Sequence, residues 1–418
     1  MHLACIEIYG GHPLDGEVVI QGSKNAALPI LAGVVLHRGT TVLHNCPRIS
    51  DVMHMIKILE EMGCSVSQSG NTLCIDAKGL NKPCVPEKLG EKMRCSVIFL
   101  GALLGREGRA EIPYPGGCTI GERPIDMHVD ALHQMRAEIQ EGCGCLAGKS
   151  SRLCGSRISL RFPSVGATEN VILAAVLAEG TTEIRGGARE PEIIELCRFL
   201  NGMGAKIRGA GTERIRIDGV RELSDSEFVL MPDRIVTGTY LMAAIASRGR
   251  CMLREAPQEQ MANVISAAEQ MGARIERMPE GMRVDARAAV KALPMLRTAP
   301  HPGFPTDIQS QVMAALCLAD GESRIQESVF EARFRTAGEL AKMGADISIC
   351  GQEARIQGTV RLHGETVAAP ELRGGAALVI AGAAAEGRTR IEGCHYIQRG
   401  YEDICRDMRA LGADIRMI

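Results

Sequence analysis

The chain has 418 residues, too many for one compact core, so two domains are the default expectation. A formal charge of −2 excludes the basic excess that bulk nucleic-acid or membrane-surface binding requires, so any anion site must be local. Tryptophan is absent and aromatics are scarce, which leaves the core to Ala, Leu, Ile, Val and Met in close-packed helices.

The N-terminal MHLACIEIYGG has neither a basic leader nor a long apolar run. Ile6 to Tyr9 reads as a first strand with no export signal, and the expected location is the cytoplasm. No apolar stretch has the length of a bilayer-spanning helix. Sixteen cysteines in such a chain point to reduced thiols. There is no CxxC pair, and Cys143, Cys145 and Cys154 lack zinc spacing and a nearby histidine, so no metal is expected.

In chain order one unit recurs six times. Its first apolar runs are AALPILAGVVLHRG, SVIFLGALLGREG, NVILAAVLAEG, TYLMAAIASRG, QVMAALCLADG and AALVIAGAAAEG, closing at Gly39, Gly108, Gly180, Gly249, Gly321 and Gly387. The period is roughly seventy residues. A strand and a second helix follow, the latter closing at Met62-Gly63, Met135-Arg136, Met203-Gly204, Met271-Gly272, Met343-Gly344 and Leu411-Gly412. Glycine there is the usual helix stop, and only Arg136 breaks the pattern. Alternating segments such as AKIRGAGTERIRIDG then read as β-hairpins. Six units divide into two α/β domains of three, residues 22–231 and residues 1–21 with 232–418. The first strand completes the sheet left open at the C-terminus.

Repeats allow positions to be compared. At the expected start of each first helix stand Lys24, Arg94, Gly166, Arg234, Asp307 and Arg373. A cation there opposes the helix dipole, so stability alone gives no reason to repeat it, whereas with free backbone N–H groups it makes an anion site. The bland alternative is that these long side chains lie outward in solvent or pair with acids, as solvated or weakly paired surface charges. Asp307 reads either as an N-cap or as a group for proton transfer or hydroxyl orientation. The loops ahead of the second helices add Asp51, Cys118 with Arg123, Arg189 with Glu190, Arg333 and Arg399. In PGGCTIGERPID, Cys118 shares a glycine-loosened loop with a cation that would lower its pKa; the alternative is a small structural thiol. These loops suit a cationic cleft for a substrate carrying phosphate and carboxylate. No GxxxxGK[ST] loop is present, and no GxGxxG joins a strand to a helix, which argues against P-loop and dinucleotide chemistry.

The strings GSKNAALPI, PGGCTIGERPIDMH, PSVGATEN, AREPEI, PDRIVTGTYL, RTAPHPGFPTD, ELRGGAALV and RGYEDI, spread over the whole chain, resemble the enolpyruvyl transferases. The resemblance implies a two-domain inside-out α/β fold of three similar subdomains per domain, with helices buried and sheets outside. It implies addition of the 3-hydroxyl of UDP-N-acetylglucosamine to C2 of phosphoenolpyruvate, followed by loss of phosphate, as the first committed step of peptidoglycan synthesis. By resemblance Cys118 donates a proton or forms a covalent adduct and is the target of fosfomycin, while Asp307 contacts the attacking hydroxyl. Lys24, Arg123 and Arg399 match the phosphoenolpyruvate clamp, with Arg94, Arg333 and Arg373 lining the same cleft. Asn25 matches a sugar-side amide and Val329 a backbone contact to the sugar nucleotide. Pro124, Asp126, Met127 and His128, with Ser164, Val165 and Gly166, match segments around the uridine and diphosphate. No cofactor, metal or obligate protein partner is implied.

The chain departs from the family pattern at Glu371 (usually Asp), Ala332 (Asn), Thr336 (His) and Gln398 (an acid), which fits a second paralogue or a divergent lineage. Two other readings remain: a catalytically silent paralogue that binds the sugar nucleotide, disfavoured by the joint retention of Lys24, Cys118, Arg123, Asp307 and Arg399, and the sister activity on shikimate 3-phosphate, whose enzymes lack the PGGC loop.

Overall fold

A computed structural model describes residues 4–114, 116, 121, 124–142 and 144–418. Cys118 and Arg123 lie outside these described residues. The chain divides into two compact units, one of residues 22–231 apart from the 115–123 loop, the other of residues 4–21 with 232–418.

Each unit is built round three helices formed by the first apolar runs. They are α1 (Lys24–Gly33), α2 (Phe99–Glu107) and α3 (Val165–Ala175) in one, and α4 (Arg234–Ala246), α5 (Gln309–Leu316) and α6 (Leu372–Ala384) in the other. These helices are apolar all round, and such a helix is stable only when surrounded. All 13 residues of α4 and 12 of the 13 in α6 are buried, which makes them the core itself. Small residues let the helices touch: a Cβ at Gly101 of α2 would lie 2.2 Å from the Asn170 carbonyl oxygen of α3.

The second helices, such as Ser50–Glu61 and Pro191–Gly202, bury one face only. All six stop on a left-handed residue: Gly63, Arg136, Gly204, Gly272, Gly344 and Gly412, with φ between 68° for Arg136 and 103° for Gly63. Arg136 breaks the sequence pattern while keeping the conformation, at the steric cost its Cβ imposes. Arg136→Gly is therefore expected to raise stability by about 1 kcal/mol, read as a higher urea midpoint at unchanged m-value.

The sheets lie outside the helices and are interlocked. Thr40–His44, Ser65–Ser69 and Thr72–Asp76 take Ser226–Val229 as a parallel edge strand, and Thr181–Arg185 takes Arg157–Ser159. The three-stranded sheet of Arg109–Pro113, Glu138–Gly142 and Cys145–Lys149 is extended by a parallel bridge from Cys84 to Glu111. In the second unit Arg250–Arg254 takes Asp15–Val19, Glu322–Gln326 takes Leu296–Arg297, and Gly387–Glu392 takes Thr366–Ala368. Every sheet thus borrows a strand or bridge from the segment leaving the repeat before it, so three repeats close into a cycle. Ile6–Gly10 pairs antiparallel with both Gly387–Glu392 and Asp414–Met417, the completion expected for the sixth sheet. The fourteen described cysteines are free thiols. Among the described residues no helix is long and apolar enough to cross a membrane.

Candidate active site

The core helices begin where the repeat comparison places the charged residues, and their caps explain how cations are tolerated there. Ser23, Ser164, Asp233 and Glu371 occupy the cap positions of α1, α3, α4 and α6, each accepting at least one first-turn N–H. Such caps contribute about 1 kcal/mol apiece and offset an unfavourable cation at the next position or two. The outward, solvated half of the alternative fails for three of the cations, since Lys24, Arg234 and Arg373 are buried, while its acid-pairing half holds for Lys24 with Asp51 and for Arg373 with Asp307; Arg94 is half-buried.

In the unit of residues 22–231, Lys24 Nζ lies 2.7 Å from Asp51 Oδ2, and both side chains are almost wholly buried. Asn25 follows Lys24, half-buried. Arg94 opens a 3-10 turn, Arg94–Ile98, that runs into α2. The Val97 carbonyl of that turn accepts from Asn170 Nδ2 of α3 at 3.0 Å, and the same amide reaches His128 Nδ1 at 3.0 Å, while Asn170 Oδ1 accepts from Gly101 N at 2.6 Å. With its oxygen taken by Gly101 N, the Asn170 amide turns its Nδ2 toward His128 Nδ1. A Cβ at Gly166 would sit 3.2 Å from His128 Cε1, so glycine lets this turn approach the ring.

Asp126 starts the helix Asp126–Gln134, accepts from its neighbour Met127 N at 2.8 Å and pairs with Arg161. Burial pushes its carboxyl up, but Arg161, Met127 N–H and His128 together hold it below the ordinary carboxylate range. Pro124 is exposed, and Ser164, Val165 and Gly166 are half-buried. His128 and Gly166 are thus brought together, as are Lys24 and Asp51.

In the unit of residues 4–21 and 232–418, Asp307 lies between two buried guanidiniums. Arg333 Nη2 is 2.9 Å from Oδ1 and Arg373 Nη2 is 3.0 Å from Oδ2. The N-cap alternative for Asp307 fails: Ile308 holds the cap position of α5, with no side-chain cap hydrogen bond, and Asp307 sits inside the turn Thr306–Ile308. Burial works against the charge on Arg373, but Asp307, Tyr401 and Asp233 hold its guanidinium protonated well above the ordinary range. Its Nη1 is buried without a hydrogen-bond partner among the described residues. Glu371, one of the four departures, caps α6 through Arg373 N at 2.8 Å and Gly374 N at 2.5 Å, and its Oε2 is 3.7 Å from Arg333 Nη1. The longer acid therefore caps the helix and also reaches a site arginine. Ala332 directly precedes Arg333, and Thr336 Oγ1 is buried without a hydrogen-bond partner among the described residues. Gln398 is exposed and Arg399 half-buried.

Sequence reasoning passed over the residues that hold these groups. Tyr401 OH meets Thr239 Oγ1 at 2.7 Å, and Gln311 Nε2 donates both to Thr239 Oγ1 at 3.3 Å and to the Asp307 carbonyl at 3.0 Å. All three repeats of the unit contribute to this buried network. Gln21 grips the segment after Arg399 through Gly400 O at 3.1 Å and Glu402 N at 2.9 Å. The available signals were slight: a polar residue inside an apolar run for Asn170 and Gln311, and a rare tyrosine two positions after Arg399.

Six interlocked repeats, five of them with a charged residue at or just ahead of the core helix, define a class, and the chain belongs to the EPSP synthase (3-phosphoshikimate 1-carboxyvinyltransferase) family, whose model matches residues 8–408. It is 46% identical over 409 residues to UDP-N-acetylglucosamine 1-carboxyvinyltransferase 2 of Caldanaerobacter subterraneus subsp. tengcongensis, covering 98% of each chain. It is also 46% identical over 417 residues to UDP-N-acetylglucosamine 1-carboxyvinyltransferase 1 of Symbiobacterium thermophilum, covering 98% of this chain and 94% of that one. Among solved structures it is similar to the enolpyruvyl transferase NikO from Streptomyces tendae, with a TM-score of 0.89 at 25% identity over 100% of this chain and 99% of the other. EPSP synthase from Acinetobacter baumannii, at TM-score 0.78 and 18% identity over 99% and 100%, shares the fold.

Proposed function

We propose that this chain transfers the enolpyruvyl group of phosphoenolpyruvate to the 3-hydroxyl of UDP-N-acetylglucosamine and releases phosphate. The observation that carries this reading is 46% identity over 98% of both chains to a relative of that name. The reaction is an addition followed by an elimination. The sugar oxygen bonds to C2 of phosphoenolpyruvate, C3 takes a proton and the hydroxyl loses one. The tetrahedral intermediate then loses phosphate from C2 and a proton from C3, restoring the double bond.

Asp307, paired with Arg333 and Arg373, takes the hydroxyl side of the addition. Lys24, Arg123 and Arg399 take the phosphoenolpyruvate clamp and Arg94, Arg333 and Arg373 the further cationic roles that the family resemblance implies, and fixed cations of this kind stabilise the charge that moves during both steps. Cys118 delivers the C3 proton or forms an adduct. Asn25 and the Val329 backbone hold the sugar, while Pro124 to His128 and Ser164 to Gly166 hold the uridine and diphosphate. The two compact units are the two functional domains. The reaction belongs to the cytoplasm, where it commits the sugar nucleotide to peptidoglycan synthesis and so serves cell shape and division, and the thiol makes the protein a fosfomycin target.

The test is steady-state phosphate release from phosphoenolpyruvate with UDP-N-acetylglucosamine or shikimate 3-phosphate as acceptor. Turnover with the sugar nucleotide alone is the expected result. Turnover only with shikimate 3-phosphate, or binding without turnover, overturns it. Fosfomycin is expected to add one adduct by mass spectrometry to the native chain and none to Cys118→Ser; labelling that survives in the variant removes Cys118 from the mechanism.

A further inference from the structure

Glu327 follows the strand Glu322–Gln326 and has no accessible surface. Its Oε1 accepts from the backbone N–H groups of Val329 at 2.8 Å and Phe330 at 3.1 Å, and its Oε2 accepts from Thr306 Oγ1 at 2.9 Å. All three partners are donors, the pattern that suits a carboxylate, an acceptor on both oxygens. Among the described residues no cation pairs with it. Burying a carboxylate on neutral donors alone is costly, and packing gives no reason to prefer it over an apolar residue of the same size.

The geometry ties this acid to the reacting groups. Its own N–H donates to Gln352 O at 2.9 Å, which fixes its backbone to the neighbouring hairpin. Thr306, gripped through its hydroxyl by Glu327, is gripped through its carbonyl by Arg333 Nε at 3.2 Å and Nη2 at 3.1 Å. That Arg333 Nη2 also holds Asp307. The segment from residue 327 to 333 therefore clasps Thr306 from both ends and presents the next residue, Asp307, to its two arginines. The same carboxylate consumes the N–H of Val329 and Phe330, so the Val329 peptide meets a ligand through its carbonyl oxygen, as an acceptor.

We propose that Glu327 is a positioning residue that sets Asp307 and the Val329 carbonyl in register for the acceptor sugar, an inference that rests on the function proposed above. Hydrogen bonds to a charged acceptor are about twice as strong as neutral ones, and that strength holds two loops at a fixed separation.

The test measures phosphate release while each substrate is varied, together with calorimetric titration by UDP-N-acetylglucosamine, in the full chain and in Glu327→Ala, Glu327→Gln, Thr306→Val and the Glu327→Ala/Thr306→Val double variant. A slight misplacement of reacting groups is costly, so Glu327→Ala is expected to lower kcat about 10-fold and to raise KM and Kd for the sugar nucleotide about 10-fold, with KM for phosphoenolpyruvate within about twofold. Gln can accept both N–H groups on its oxygen and donate to Thr306 Oγ1, so Glu327→Gln is expected to recover activity to within about threefold. The double variant is expected to be no worse than Glu327→Ala alone, since both changes break one clasp. Constants for Glu327→Ala within about twofold of the full chain, or equal losses toward both substrates with no recovery in Glu327→Gln, overturn the proposal. Where Glu327→Ala fails to fold, Thr306→Val decides the matter, and unchanged sugar-nucleotide constants in that variant overturn it. A full chain that turns over neither substrate pair overturns the functional reading instead, and the calorimetric series then still tests the clasp.

Discussion

Replacing Asp307 with Asn is expected to cut turnover about 1,000-fold, within the range for loss of a proton-transfer group. The same change is expected to destabilise the unit of residues 4–21 and 232–418. Asp307 is the common partner of Arg333 and Arg373, whose side chains are only 1% and 4% exposed. The amide keeps one acceptor oxygen but turns its NH₂ toward the other guanidinium, so a donor meets a donor and two buried cations lose their shared negative charge. Breaking a buried pair from one side costs about 3–5 kcal/mol; because the Asp307 side chain is 28% exposed, the lower end, about 3 kcal/mol, is expected. Urea unfolding followed beside phosphate release checks both halves. A purely structural Asp307 would give the loss of stability while Asp307→Asn kept near-native kcat at low temperature; the assigned role requires the loss of kcat in protein that is still folded. Sugar-nucleotide binding is expected to fall far less than turnover.

The repeats were legible because their signals are local. Apolar runs ending in glycine, Met-Gly-Ala closings and alternating hairpins each need only a few neighbouring residues, and the first strand could be assigned because it has no helix of its own and the sheet at the C-terminus is left open. The strand exchange was not legible. Ser226–Val229 lies beside Thr40–His44 at a separation of 185 residues, for instance between Thr41 and Ser226, and a four-residue parallel edge strand carries no alternation of its own. The charged positions were found by comparing repeats, but their burial was not, since a lysine or arginine at a helix start reads the same whether it faces solvent or a buried acid. The partners that decide it, Asp51 for Lys24 and Asp307 for Arg373, come from other segments of the chain. Glu371 shows the opposite limit. The sequence marks it as a departure, yet an acid at that position caps α6 through two N–H groups, so the cap survives the exchange of Asp for Glu.

The second large effect is expected at Arg373, and it separates catalysis from stability in the other direction. Its Nη2 is committed to Asp307, while its Nη1 is buried with no partner among the described residues. An unsatisfied buried donor costs about 1–3 kcal/mol, a cost that an arriving anion removes. On the function proposed above, one arm of the guanidinium orients the acid and the other would meet phosphate or carboxylate of the substrate. Lysine offers a single compact charge and can serve Asp307 or the anion, not both. Losing one charge-assisted hydrogen bond, worth about 1.5–3 kcal/mol, corresponds to roughly 10- to 100-fold, so Arg373→Lys is expected to lower kcat/KM for phosphoenolpyruvate by about that factor. Stability is expected to stay within about 1 kcal/mol of the full chain, because the pair with Asp307 survives and the unsatisfied donor is gone. A KM for phosphoenolpyruvate within about twofold of the native value would remove Arg373 from the anion site, and a loss of stability matching Asp307→Asn would make it a structural partner of Asp307 and nothing more.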